Sequence, residues 1–222
     1  MFVACREIII FALMKRLIYL LCCFICVTSL PAQTVAEMFM SMPSKMISYV
    51  TDDVRNQLVG SYGNEEDSKK ATIFGDSICI DLLTTDFLSI QLSQARRLQM
   101  KMLPLGDSDT IVCVVSTFYG PAAESTIQFY NCQWQPLNLS ESMPVFNVEM
   151  LTQCPDDMSQ QTFEDLKALI DPCLYEYKLS PENTDIEILL SYAMTNREDR
   201  VKLKSIAKPC RLQWQKDLGR FL

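Results

Sequence analysis

Histidine is absent from all 222 residues. The chain therefore lacks the usual general base near neutral pH and the commonest metal ligand. Ser-His-Asp and Cys-His catalysis in their usual forms are excluded, as are zinc sites built with imidazole. The chemistry that remains belongs to carboxylates, thiols, thioethers and two tryptophans. Asp and Glu are scattered, and a glycosidase pair is defined by separation in space rather than by spacing in sequence. Glu65-Glu66-Asp67 is followed by Lys69 and Lys70, which reads as a solvated turn. Gly106-Asp107-Ser108-Asp109 lacks the length and closing Glu of a calcium loop. There is no G-x-G-x-x-G, no P-loop and no G-x-S-x-G. No residue is assigned a catalytic, cofactor-binding or metal-binding role, and no cofactor is expected.

Six cysteines follow the N-terminal apolar segment: Cys79, Cys113, Cys132, Cys154, Cys173 and Cys210. No pair has C-x-x-C spacing, so neither a zinc ribbon nor a dithiol redox motif is present. Cys113 lies among Ile111, Val112, Val114 and Val115 and reads as a core residue, since buried free cysteine behaves as a small hydrophobe. Cys154 and Cys173 bracket a predicted helix and are the pair a disulfide would join; the expectation is mostly free thiols. Met38, Met40 and Met42 suggest a soft-metal site, but Met38, Met42 and Met46 recur every four residues, the stripe of a helix packed on a core. Trp134 and Trp214 each sit in a Gln-Trp-Gln sequence. They read as equivalent core anchors, with an aromatic platform for a partner or glycan as the alternative.

The elements that must position these residues form two similar runs. Thr34 with Glu37 makes a capping box at the start of a helical region that extends to about Gly60. Within it, Pro43 is expected to start a second helical turn, and Thr51-Asp52-Asp53 to cap a further helix carrying Val54, Leu58 and Val59. Strands are predicted over Ile78–Leu83, Phe87–Leu92, Leu98–Leu103, Thr110–Tyr119 and Ser125–Gln135, with turns at 106–109 and 120–121. Leu98, Met100 and Met102 alternate with Gln99 and Lys101, which predicts one buried and one wet face. The second run has a helix over Met158–Ile170 with Ser159 as cap and Phe163, Leu166 and Ile170 on one face. Strands over 173–179, Thr184–Met194, Val201–Ile206 and Cys210–Gln215 follow. The stretch 103–111 parallels 179–186, and both runs reach Gln-Trp-Gln, which points to an internal duplication. The fold class is α+β: two helix-plus-antiparallel β-meander units, 33–140 and 155–222, divided where Pro136, Pro144 and Pro155 cluster.

Residues 17–30 are almost wholly apolar, with Lys15-Arg16 before them and Pro31-Ala32-Gln33 after. This is the pattern of a secretory signal peptide, with cleavage after Ala32 and a start at Met14 rather than Met1 as a variant. The run is shorter than the about 20 residues a membrane span needs. No cysteine within it follows a small residue, so lipidation is disfavoured. Removing residues 1–32 takes away Arg6, Glu7, Lys15 and Arg16, which leaves 17 basic and 26 acidic residues and a formal charge of −9. A chain this acidic has no electrostatic footprint for nucleic acid and no attraction to anionic lipid.

The stretch from Ala36 through Met38-Phe39-Met40-Ser41-Met42-Pro43 and Tyr49 to Leu58 carries a resemblance. So do Leu98-Gln99-Met100-Lys101-Met102-Leu103-Pro104-Leu105, Ile111–Thr117 and Gly120-Pro121. Together these segments resemble a family of exported proteins of Bacteroides-like gut and oral bacteria, known as a domain of unknown function. The resemblance spans essentially the whole mature chain and carries no catalytic residues over. It implies O-glycosylation at Asp-Ser/Thr before an aliphatic residue, as in Asp76-Ser77-Ile78 and Asp109-Thr110-Ile111.

The expected function is that of an exported, non-catalytic binding protein of the cell envelope, periplasmic or outer-surface. Its partner would be an envelope protein or a glycan, met through a sheet face or an edge strand. The alternatives are a small-ligand or lipid carrier with an apolar cavity and a His-free hydrolase acting through paired carboxylates.

Overall fold

The structure is a computed structural model that describes residues 33–64, 69–71, 77–139, 141–193 and 197–222. The expected signal segment, the acidic cluster 65–67 and Asp76 lie outside the described residues. Gln33–Leu222 form a single compact unit.

Helix α1 (Val35–Met40) starts at Thr34, whose Oγ1 accepts from the Glu37 amide at 3.3 Å while Glu37 Oε2 accepts from the Thr34 amide at 2.8 Å. Two of the four orphan amides of the helix start are thus satisfied reciprocally. After Pro43 the chain makes isolated turns rather than the expected helical one, with Met46 N–H donating to Pro43 O and Val50 N–H to Ile47 O. Helix α2 (Asp52–Gly60) begins at Thr51, whose hydroxyl accepts from Val54 N–H.

The first sheet is a six-stranded antiparallel meander in sequence order: β1 (Lys69–Ala71), β2 (Ser77–Leu83), β3 (Phe87–Ser93), β4 (Arg96–Leu105), β5 (Asp109–Tyr119) and β6 (Ala123–Asn131). The turn from β4 to β5 places Gly106 at φ +62, a left-handed conformation with little cost only for glycine. The second run contains α3 (Gln160–Lys167), β7 (Leu174–Leu179), β8 (Asp185–Ser191), α4 (Arg197–Ile206), β9 (Cys210–Gln215) and β10 (Arg220–Phe221), with the second sheet ordered β10-β9-β8-β7. The class is therefore α+β, built of two helix-plus-antiparallel-meander units.

Val201–Ile206, expected as a strand, is the C-terminal part of α4. Leu203 and Ile206, three residues apart, are buried while Val201 is 66% exposed, a spacing a helix satisfies and a strand does not. The two tryptophans are also not equivalent. Strand β6 ends at Asn131, four residues earlier than expected, and Trp134 sits in the following turn at φ 61; Trp214 lies within β9.

Among the described residues, three apolar cores hold the layers together. Val35, Met38, Phe39, Met42 and Leu58 pack on one face of the first sheet against Leu88, Ile90, Leu98, Met100, Val112 and Val114. The opposite face contributes Leu103, Ile111, Cys113, Val115 and Phe129 to a second core shared with Ile186, Ile188, Trp214 and Phe221 of the second sheet. Trp214 stacks on Phe129 at 5.6 Å and meets Phe221 edge-on at 5.0 Å. Helices α3 and α4 close a third cluster through Phe163, Leu166, Ile170, Leu203 and Ile206. The methionine stripe is thus core packing, as its spacing requires, and Trp134 joins the first core rather than the second.

Candidate functional site

Strand β7 lies across the second face of the first sheet. Its Tyr177 amide donates to Ser125 Oγ on β6 at 3.0 Å, and its Leu179 amide to Gln99 Oε1 on β4 at 3.2 Å. Lys101, only 1% exposed, is part of this tie. Its Nζ lies 2.8 Å from Asp86 Oδ2 and donates to Pro181 O at 3.2 Å. The face expected to be wet around Lys101 is therefore covered by the second sheet, and a buried ammonium persists there because it is paired and hydrogen-bonded.

Beyond β7 that core still takes in Phe87 of β3 and, at its margin, Leu82 of β2. A corner forms between the polar end of β2–β5 and the outer face of the second sheet, and a row of alternating charges crosses it. Asp81 accepts from Ser89 Oγ at 3.2 Å, and its Oδ2 is 3.3 Å from Arg97 Nε, an ion pair without an aligned hydrogen bond. Arg97 Nη1 donates to the Tyr119 hydroxyl oxygen at 3.3 Å, and the guanidinium carbon lies 5.7 Å from that ring. Tyr119 in turn donates to Glu176 Oε1 at 2.9 Å. Glu176 Oε2 pairs with Lys178 at 3.6 Å. Lys178 stands opposite Glu187 on β8, which stands opposite Arg211 on β9, and Arg211 Nη2 reaches Glu187 Oε1 at 3.8 Å.

Burial raises the Tyr119 phenol above its ordinary value, and the hydrogen bond to Glu176 raises it further, against the weaker opposing pull of Arg97. Tyr119 is consequently a neutral donor that links the two sheets and not a phenolate base. Asp81 and Glu176 flank Arg97 and Tyr119, and each already holds a basic partner and a hydroxyl. A depression of about 260 Å³ adjoins the corner, lined in part by Lys178, Glu187 and Arg211.

Two of the sheet edges, β6 and β7, are occupied in part. Along β6, Ala123 N–H donates to Ser191 Oγ, Asn131 N–H to Gln135 O, and Phe129 O accepts from Leu137 N–H. Two of the outward amides of β7, those of Tyr177 and Leu179, are bound by Ser125 and Gln99.

The other residues singled out in the sequence are dispersed. Among the described residues no disulfide forms; Cys154 and Cys173 both border the third core as free thiols, and Cys113 is fully buried. Burial pushes the Cys113 thiol far up, which leaves it without thiolate character. Trp134 packs on Tyr130 at 5.3 Å and donates to Ser41 Oγ. Ser77 and Thr110 are both exposed, each at a strand start. Among the described residues no group of three or more His, Cys, Asp or Glu is placed to hold a metal ion, and no helix is long and apolar enough to cross a membrane.

Two antiparallel sheets sharing a core, each with its own helices, define the class of protein. Residues 27–221 match the family described as "Protein of unknown function (DUF3256)", and the chain belongs to that family. It is similar to a solved structure, described as the structure of a domain of an uncharacterized protein from Porphyromonas gingivalis W83. The identity is 24% and the TM-score 0.63, over 85% of this chain and 96% of that one. This is a likeness of fold. No curated protein matches the chain.

Proposed function

We propose that the chain is an exported, non-catalytic binding protein of the cell envelope, periplasmic or outer-surface, that engages an envelope protein or a glycan through the charged corner between its sheets. The observation that carries this reading is the row of partly exposed ion pairs spanning both sheets. Exposed pairs contribute only about 0–1 kcal/mol each to stability, and every charged member of the row except Glu176 is about a third or more exposed. The partners already held along β6 and β7 favour a face over strand addition at those two edges. In support of export, Lys15-Arg16 precede the apolar run 17–30 and Pro31-Ala32-Gln33 follow it.

The carrier reading has less support. The space between α1, α2 and the first sheet is filled by Met38, Phe39, Met42 and Leu58, each no more than 2% exposed. A hydrolase would use Asp81 and Glu176, the acids that flank the Arg97–Tyr119 bridge.

The test is cross-linking in intact cells followed by recovery of the tagged protein, for the natural chain and for Arg97→Glu combined with Lys178→Glu. A partner or glycan recovered with the natural chain and lost with the charge-reversed one is the expected result. Recovery that is equal for both chains contradicts the assignment of the corner.

A further inference from the structure

Three acids and three bases line the corner: Asp81, Glu176 and Glu187 against Arg97, Lys178 and Arg211. Each acid is paired with a base at 3.3–3.8 Å, and the formal charge of the set is zero. A charged ligand would gain little net attraction from it and would confront like charges along half of its length. The groups nonetheless keep hydrogen-bonding capacity. A carboxylate has about four acceptor sites and a guanidinium five donors, and each pair uses only a fraction of them. Arg97, Asp81, Lys178, Glu187 and Arg211 have side chains 37%, 32%, 45%, 35% and 70% exposed and Glu176 18%, so apart from the buried Arg97 Nε and most of Glu176 the remaining capacity is open to solvent. Acceptors and donors therefore alternate along a line that runs from β2 across β7 to β9.

That pattern fits a ligand whose own groups are each both donor and acceptor and which carries no charge. Neighbouring hydroxyls of a sugar ring meet this requirement, since one can donate to a carboxylate while the next accepts from the guanidinium beside it. A line crossing several strands, about 4.8 Å apart within a sheet, has room for more than one sugar ring. Resting on the binding reading above, we propose that the corner is a subsite row for a neutral oligosaccharide.

The test is amide chemical-shift mapping of the chain 33–222, the compact unit, titrated with six probes. Four are neutral: the hexasaccharides of β-1,4-glucose, β-1,4-xylose, β-1,4-mannose and N-acetylglucosamine. Two are charged: oligogalacturonate and chitosan oligomers. The expected result is saturable shifts at Asp81, Arg97, Tyr119, Glu176 and Glu187 with at least one neutral probe. Affinity should fall about tenfold or more in Arg97→Ala, as expected for losing a charged hydrogen bond, and should not change in Thr126→Ala on the far strand. Arg211→Ala, at a 70% exposed position, provides the same readout if Arg97→Ala does not fold. Binding of a charged probe in preference to the neutral ones overturns the neutral-sugar inference and leaves the binding corner intact. Silence to all six probes, with a partner still lost on charge reversal in cells, overturns the saccharide and retains the binding protein. Silence in both experiments overturns both.

Discussion

At the scale of single residues, burial decides most of what the side chains can do. The phenols of Tyr119, Tyr130, Tyr175, Tyr177 and Tyr192 are raised chiefly by burial, Tyr175 to about 12. A raised phenol holds its proton more tightly in the folded chain than in the unfolded one. Its contribution to stability is complete below the ordinary value of about 10 and is lost as pH rises through the folded-state values. Urea midpoints should therefore fall above pH about 10, and phenolate absorbance of the native protein should appear later than that of the unfolded chain. Coincident titrations would contradict the burial of these rings. Cys113 should resist a thiol reagent in the native state and react on unfolding. Arg55 offers a third test: it is 1% exposed, pairs with the exposed Asp52, and has Nε and Nη1 buried without hydrogen-bond partners. Arg55→Met should raise stability by about 1–3 kcal/mol, because unmet buried donors are removed and Asp52 is left to water; a loss would contradict this. Cys113 and the methionines were legible in the sequence because their neighbours or spacing declare a core. Asp81, Arg97, Tyr119 and Glu176 were not, because a polar residue in a strand looks the same whether water or another sheet lies over it.

At the scale of elements, caps and turns were the most legible, since their signals are local. Thr34 and Thr51 cap as their sequences require, and Thr34→Ala should cost about 0.5–2 kcal/mol in urea unfolding. The run Val201-Lys202-Leu203-Lys204-Ser205-Ile206 misleads because its first residues alternate. The helix is decided by Leu203 and Ile206 docking with Phe163, Leu166 and Ile170, a tertiary contact that overrides a short local pattern. The identical Gln-Trp-Gln sequences diverge for a similar reason. Trp134 turns away with the chain after β6, while Trp214 continues β9 and donates to Pro104 O at 2.7 Å in the second core. Trp214→Phe would leave that carbonyl unpaired and should cost about 1–3 kcal/mol. Trp134→Phe should cost less, because the Ser41 hydroxyl can turn to water. Equal losses in urea midpoints would mean that the two sites are equivalent anchors after all.

At the scale of the whole molecule, the sequence led to the α+β class and the repeated meander but not to the way the sheets meet. The corner depends on β7 crossing β4 and β6, contacts that join residues about 50–80 positions apart and leave no periodic trace. The N-terminal pattern makes a separate prediction: protein recovered from the envelope fraction should begin at Gln33, and an intact N-terminus on protein retained in the cytoplasm would contradict export. The central claim, that the corner is the contact surface, is tested most directly by a photo-reactive residue placed at Gln91, on β3 beside Arg97, and by a control at Thr126 on the outer strand β6. Irradiation in intact cells should give a discrete adduct from position 91 and none from 126. Adducts from 126 alone, or equally from both, would place the contact elsewhere and contradict the account.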